Sequence, residues 1–353
     1  MRHLSLYVGK TVLGSILVVL LVVLAIDVIA SVVDGLGEIR NQYRFNNVLM
    51  NTLLTLPGRI YSNIPFATLI GSLVGLGILA GNSELVVMRA AGVSLLRITG
   101  FVVKPVLLVI VLGAVLGEYL VPVTDQWAQS LKLMLRGDQE SVSAHSGVWN
   151  REGNEYMHFN AVYPNGKLIG VTRYRFDDER KLQEASFSAR ATYLDSHWLE
   201  EEGQVTRFFE DHTEVEQFIT RRWETELSPD LLTLVLMPPQ SLAISHLHSY
   251  GTYLDIQGQK SGAYWLAFWN KALQPLVIIA LVLIAVSFIF GPLREATMGY
   301  RIFSGVVVGI VFQTSLEMLG PSSMVFGFSP FWAVMAPVTV CILVGLVLLR
   351  RAA

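Results

Sequence analysis

Charge is scarce in this chain. Asp, Glu, Lys and Arg make up 15% of 353 residues, whereas 52% are hydrophobic and the mean hydropathy is +0.50. Soluble domains carry roughly 25% charged residues, so too few polar side chains are present to clothe one water-exposed globule. Cysteine is scarcer still. Its one copy, Cys341, lies in an apolar run near the C-terminus, which excludes an internal disulfide and any cysteine-rich metal site. No His-Glu-x-x-His or Gly-x-Ser-x-Gly motif occurs, and His246 and His248 stand without a Cys/His cluster around them. Gly9, Lys10 and Thr11 mimic the tail of a phosphate-binding loop, but Leu4 stands where that loop needs its first glycine. An enzyme, a metal and a cofactor are therefore not expected.

Long apolar runs are abundant. About 20 residues of helix cross roughly 30 Å of hydrocarbon, and six runs qualify: about 11–33, 60–81, 98–121, 265–290, 302–319 and 331–349. The first exceeds the apolar core of a cleaved signal and reads as a retained span. Six spans place both termini on one side. Lys and Arg gather there, at Arg2, Lys10, Arg89, Arg97, Lys104, Arg294, Arg301, Arg350 and Arg351, so both ends are expected in the cytoplasm.

Between spans three and four the pattern changes. Residues 147–227 alternate with a period of two and are rich in Val, Thr, Tyr, Phe and Trp, which predicts strands over 155–163, 168–176, 182–194, 197–209 and 214–227. Pro164, Asn165 and Gly166 supply a turn. Short polar links suggest an antiparallel meander, rolled up like a barrel or jelly roll. Within 168–176, alternation sets Val171, Arg173 and Arg175 on one face and Thr172, Tyr174 and Phe176 on the other, one of them forming an oily core. The run Glu200 to Glu202 reads as a solvated strand edge. Residues 130–260 hold 13 basic and 20 acidic residues, an acidic surface that argues against nucleic acid. The expected class is membrane α+β: spans one to three in 1–129 with a short helix at about 83–91, a β domain in 130–260, and spans four to six in 261–353.

Polar groups within the spans, namely Asp27, Glu118, Lys271, Gln274, Gln313 and Glu317, must face protein or water. Packing is the plain reading, and a pairing of Asp27 with Lys271 is speculative. The stretch GNSELVVMRAAGVS, residues 81–94, is more informative. Asn82 or Ser83 can cap a helix, Glu84 suits its first turn, and Gly92 can close it in the left-handed conformation. Nine residues are too few for a helix to stand alone in water. It must dock: spacing places Glu84, Met88 and Ala91 on one face, with Met88 as an adaptable anchor and Glu84 as a charged contact, while Leu85 and Arg89 lie on an adjacent stripe.

SELVVMRAAG after the second span, SFIFGPLR at 287–294 and HLHSYGTYL at 246–254 together resemble the lipopolysaccharide-export permease family, the paired F and G subunits of the Lpt transporter, and more the G type. The likeness runs over essentially the whole chain. It implies a bacterial inner-membrane subunit without its own ATPase, with a periplasmic jelly-roll domain between helices three and four, paired with the homologous LptF. It also implies a dimeric cytoplasmic LptB ATPase, LptC and a periplasmic LptA bridge as partners, and lipopolysaccharide as cargo. The short helix would couple the ATPase to the spans through Glu84, Leu85, Met88, Arg89 and Ala91, and spans one and five would line a central cavity. Lysines expected just after span one are missing here, so contacts to the cargo's phosphates fall to Arg40, Arg44, Lys132 and Arg136. The rival readings are a sensory membrane protein signalling through the same helix, and an intramembrane enzyme using Asp27 or Glu317.

Overall fold

A computed structural model describes residues 2–352, except 38, 40–43, 137–147, 164–165, 195, 226, 230–231, 233–236 and 292–295. Helix α1 (Arg2–Leu36) is followed by a short α2 (Phe45–Leu54), α3 (Leu56–Gly81), the short α4 (Glu84–Ala90) and α5 (Leu95–Val115). One π-helical turn, Leu116–Leu120, joins α5 to α6 (Val121–Arg136). After the sheet come α7 (Ile244–Ile256), α8 (Gly262–Phe290), α9 (Met298–Phe326) and α10 (Pro330–Ala352). Among the described residues, six helices are long and apolar enough to cross a membrane: His3–Leu36, Leu56–Gly81, Leu95–Gln129, Gly262–Phe290, Met298–Phe326 and Pro330–Arg351. The third is longer than its sequence suggests because the π turn carries α5 into amphipathic α6 without a break. Neither α2 nor α7 is apolar enough to be legible as a span, and both were missed.

Glycine decides how closely α1 and α3 approach. A Cβ added at Gly71 would lie 2.5 Å from the Ile16 Cα, and one at Gly75 would lie 2.9 Å from the Val12 Cα. Small residues four apart give a helix a flat stripe on which another backbone can rest. A Gly71→Val chain should therefore lose on the order of 1–3 kcal/mol, seen as a lower unfolding midpoint in detergent. Gly100→Val, where a Cβ would meet nothing within 4 Å, should leave that midpoint in place. The apolar core runs on from this contact through Leu69, Leu73 and Leu76 of α3, Ile98 and Val102 of α5, and Val282 and Val286 of α8.

The sheet contains β1 (Val148–Glu152), β2 (Glu155–Tyr163), β3 (Lys167–Phe176), β4 (Leu182–Leu194), β5 (His197–Phe208) and β6 (Thr213–Trp223), paired antiparallel in sequential order. This is the expected meander with one more strand, β1, too short to stand out by alternation. The expected turn residues Pro164 and Asn165 lie outside the described residues. A line of irregularity crosses the sheet. No ladder pair forms at Asn160, Gly170, Ala189 and Glu202, while Gly170 and Glu202 have φ of 62° and 54°. Each such break shifts the pleat, so inward positions change parity along a strand: Ser186 and Ser188 are buried on one side, Ala191 on the other.

The structure decides one open point about the sheet and corrects one expectation. The buried side of β3 is the one bearing Val171 and Arg173, and Glu200 is no solvated edge: Arg173 is 2% exposed and Glu200 0%. The Arg173 guanidinium donates to both Glu200 oxygens at 3.0 and 2.8 Å and to Glu155 Oε1 at 2.6 Å. Ser188 Oγ donates to Glu200 Oε1 at 3.1 Å, and the guanidinium carbon sits 4.9 Å from the centre of the Trp223 ring. A buried charge needs partners for its donors or lone pairs, and here they come from four strands of one sheet. Around this cluster lie Met157, Phe159, Leu168, Trp198 and Leu227, the Trp198 Nε1 donating to the Leu227 carbonyl at 2.7 Å.

Carboxylates on the sheet make its stability depend on acid. Burial alone would raise the Glu184 pKa, but the hydrogen bond and charge of Arg221, with Arg175 and Arg173 nearby, outweigh it and hold the carboxyl below its ordinary 4.5. The Lys181 amide and the Gln183 side chain hold Asp177 below its ordinary 3.8 in the same way. A carboxyl with a depressed folded pKa contributes stability above its unfolded pKa and loses it as pH falls through the folded value. The unfolding midpoint of the sheet should therefore be flat above pH 4.5 and fall below it; in Glu184→Gln that fall should be smaller.

Candidate functional site

Two features stand at opposite ends of the helical bundle. At the end opposite the sheet, α4 links α3 to α5. Its C-terminus follows from sequence: the Val93 amide donates to the Met88 carbonyl at 3.1 Å and the Gly92 amide to the Arg89 carbonyl at 3.0 Å, with Gly92 at φ 83°. That closure needs a residue without a Cβ penalty in the left-handed region, and it brings apolar Val93 over Met88. The N-terminus differs from expectation. Ser83 sits at φ 61° and its side chain makes no cap, which shortens the helix to seven residues. Glu84 stands in the first turn, where it accepts from the Tyr7 hydroxyl of α1 at 3.1 Å and from Asn82 Nδ2 at 3.4 Å.

The two faces of α4 divide sharply. Leu85 is 3% and Met88 6% exposed, both in the core shared by α1, α3 and α5, so Met88 fastens the helix to its own chain rather than projecting as an anchor. Val86 and Val87, 55% and 66% exposed, point away with Arg89, Ala90 and Ala91. Two outward valines beside a carboxylate and a guanidinium form a small surface fit for a protein groove. A path of contact leads from it: Arg301 of α9, nearly buried, donates from Nη1 to the Gly77 carbonyl one turn before α3 ends, at 3.0 Å.

Toward the sheet, a cavity of about 980 Å³ opens between α3, α8 and α9. Asn63, Asn270, Gln274, Gln313 and Glu317 give it polar points, while Phe66, Leu266 and Phe312 give apolar wall. Gln313 Nε2 donates to Glu317 Oε1 at 2.9 Å. Lys271 also borders the cavity, but its ammonium is committed to the Leu242 carbonyl at 2.7 Å and the Gly117 carbonyl at 3.4 Å. Glu118 completes that joint, accepting from the Ile244 amide at 2.8 Å and from Ser245 Oγ at 2.9 Å, which caps α7 with negative charge. These two residues clamp the chain where it re-enters the bundle. Asp27 is paired elsewhere, with Arg59 Nη1 at 3.0 Å, and Ser31 accepts from Arg59 Nη2 at 2.6 Å.

Of the four basic residues expected at the sheet end, Arg44 is exposed just before α2, which packs on α6, the helix that carries half-buried Lys132. The Arg136 side chain and all of Arg40 lie outside the described residues, as do Pro292 to Arg294 of the SFIFGPLR motif. The described part of that motif is structural: Ser287 Oγ donates to the Gly345 carbonyl of α10 at 2.9 Å. Sequence reasoning missed the Arg301 link and the Glu118 cap. The spacing of Glu118 before α7 held no local signal, being 126 residues away. Span burial adds one more constraint. Only 6% of the most apolar stretch of α1 and 17% of that of α9 is buried within the chain, against 67% for α3.

A family described as "Lipopolysaccharide export system permease LptF/LptG" matches residues 6–351. The chain is 33% identical over 351 residues to the lipopolysaccharide export system permease protein LptG of Escherichia coli strain K12, covering 98% of this chain and 97% of that protein. It is 32% identical over 334 residues to the protein of the same name from Haemophilus influenzae, covering 94% and 93%.

Proposed function

The chain belongs to the LptF/LptG family of lipopolysaccharide export permeases, and from that premise we propose that it is the G-type half of an ATP-driven exporter whose hydrolysis is done by a separate cytoplasmic ATPase dimer, LptB. The other half is LptF. Burial supports the pairing: few residues in the most apolar stretches of α1 and α9 are buried inside this chain, and a second permease set against them would enclose a central cavity. In this reading both termini and α4 face the cytoplasm, and the sheet lies in the periplasm. Basic residues support that orientation, with Lys10, Arg89, Arg97, Lys104, Arg350 and Arg351 all at the α4 end.

The observation that carries the coupling role is the division of α4 into a face locked in the bundle and a face left bare. Closure of the ATPase presses on Glu84, Val86, Val87, Arg89 and Ala91. Leu85 and Met88 carry the displacement into α1, α3 and α5, and the Arg301 bond to Gly77 carries it to α9. The cargo enters sideways from the outer leaflet, its acyl chains against α9 and the apolar wall of the cavity between α3, α8 and α9, and narrowing drives it toward the sheet. Arg44 and Lys132, with Arg40 and Arg136, offer charge-assisted contacts to its phosphates near the sheet end. The sheet then passes it to LptC and the LptA bridge.

Co-purification from native membrane tests the assembly: LptF, LptB and LptC should accompany the chain with lipopolysaccharide retained. Recovery of the chain with an unrelated signalling protein and no lipopolysaccharide would favour the sensory alternative. The chain alone should hydrolyse no ATP.

A further inference from the structure

At the α4 end of the bundle, α1 and α5 leave between them a cleft of about 590 Å³ to which the proposed export mechanism assigns no role. Gly9 of α1 lies against Pro105 of α5, where an added Cβ would be 3.8 Å from the proline ring and 3.9 Å from the Phe101 carbonyl oxygen. The missing side chain opens the cleft, and the proline has a second effect. Having no amide hydrogen, Pro105 cannot make the helical bond to the carbonyl of Phe101, so that oxygen is left as an acceptor at the cleft. Lys10 and Lys104 stand on the two walls, both exposed and neither in a hydrogen bond or ion pair with any described residue. They lie about 12 and 14 Å along helices that begin at the same end, and so at similar depth. Residues 2–26 of α1 and the whole of α5 contain neither Asp nor Glu. Deeper than the lysines the walls are Leu13 and Leu108, while Leu6 lies one turn nearer the helix start.

Paired cations over an apolar floor, at the depth of a leaflet boundary, match one kind of molecule. We infer that this cleft is a binding site for an anionic glycerophospholipid of the inner leaflet with a hydroxylated head group, of the phosphatidylglycerol type. Lys10 and Lys104 hold the phosphate from either side. A head-group hydroxyl donates to the Phe101 carbonyl, Ser5 lines the same end of the cleft, and one acyl chain lies along Leu13 and Leu108. A zwitterionic head group would bring its own cation toward two lysines and bind more weakly. Free phosphate would gain nothing from the floor. The inference needs only that these helices cross a membrane, and stands independently of the export reading.

Native mass spectrometry of the full transporter, exchanged into micelles with phosphatidylglycerol, phosphatidylethanolamine or phosphatidylcholine, tests it. Wild type should retain phosphatidylglycerol selectively. Each lysine near a charged membrane surface contributes roughly fivefold to binding, so Lys10→Gln with Lys104→Gln should weaken retention about thirtyfold. Lys10→Arg with Lys104→Arg should keep most of it, and Arg180→Gln with Lys181→Gln in the turn between β3 and β4 should change nothing. Equal retention by the glutamine pair and wild type would overturn the site. So would equal retention of all three lipids by wild type, or displacement of phosphatidylglycerol by excess inorganic phosphate.

Discussion

Glu84→Arg should abolish delivery of lipopolysaccharide while the chain still inserts, folds and pairs. Glu84 is held at the start of α4 by Tyr7 and Asn82 and lies beside the bare valines, so an arginine there places a cation against whatever guanidinium or lysine the motor aims at it. Removing or reversing one member of a desolvated charge pair across an interface costs about 2–5 kcal/mol, a loss of thirtyfold or more in productive association. Release of lipopolysaccharide from proteoliposomes into a soluble acceptor should therefore fall to background. Co-purification of the ATPase should weaken in parallel. Two comparisons separate this from simple misfolding. Glu84→Gln keeps the acceptor for Tyr7 and should retain part of the activity. Met88→Ala, inside the chain's own core, should instead lower the unfolding midpoint, costing on the order of 2–5 kcal/mol.

Arg173→Ala should unfold the sheet domain or bring it close to unfolding. Its guanidinium makes bonds to two carboxylates, and without it Glu200, wholly enclosed, is left among the described residues with Ser188 alone as a side-chain donor. Breaking a buried pair by removing one partner costs about 3–5 kcal/mol. Most domains have only 5–15 kcal/mol to lose. The double variant Arg173→Met with Glu200→Leu removes both charges and should recover much of the loss, since the desolvation penalty disappears with them. Protease resistance of the sheet in the intact chain distinguishes the outcomes: the single variant should be cut readily and the double variant should resemble wild type. Similar sensitivity in both would mean that the ion cluster positions strands and that its charge balance is secondary.

Local chemistry was readable from sequence wherever one residue type has few conformational options. Gly92 closes α4 because almost nothing else tolerates its φ, and strands β2 and β4 begin and end where period-two alternation does. Six spans followed from hydropathy because hydrocarbon imposes a minimum length. Parity was not readable. An irregularity at Gly170 and Glu202 reverses which side of a strand faces inward, and a run of three glutamates says nothing about which one finds an arginine on a neighbouring strand. The candidate site was half legible for the same reason. Spacing grouped Glu84, Met88 and Ala91 on one face of an expected nine-residue helix, but only packing against α1 and α5 decides that Met88 turns in and Val87 turns out. The long-range bonds of Arg301 and Glu118 cross 224 and 126 positions of chain, beyond the reach of any local pattern.

The central claim is that a cytoplasmic motor pushes on the bare face of α4. A photo-reactive amino acid placed at Val87, irradiated in native membranes, tests it most directly. The account predicts a covalent adduct to the ATPase subunit whose yield changes when nucleotide is trapped, and none from the same probe at Met88. Adducts from Val87 to phospholipid alone, in every nucleotide state, would contradict it.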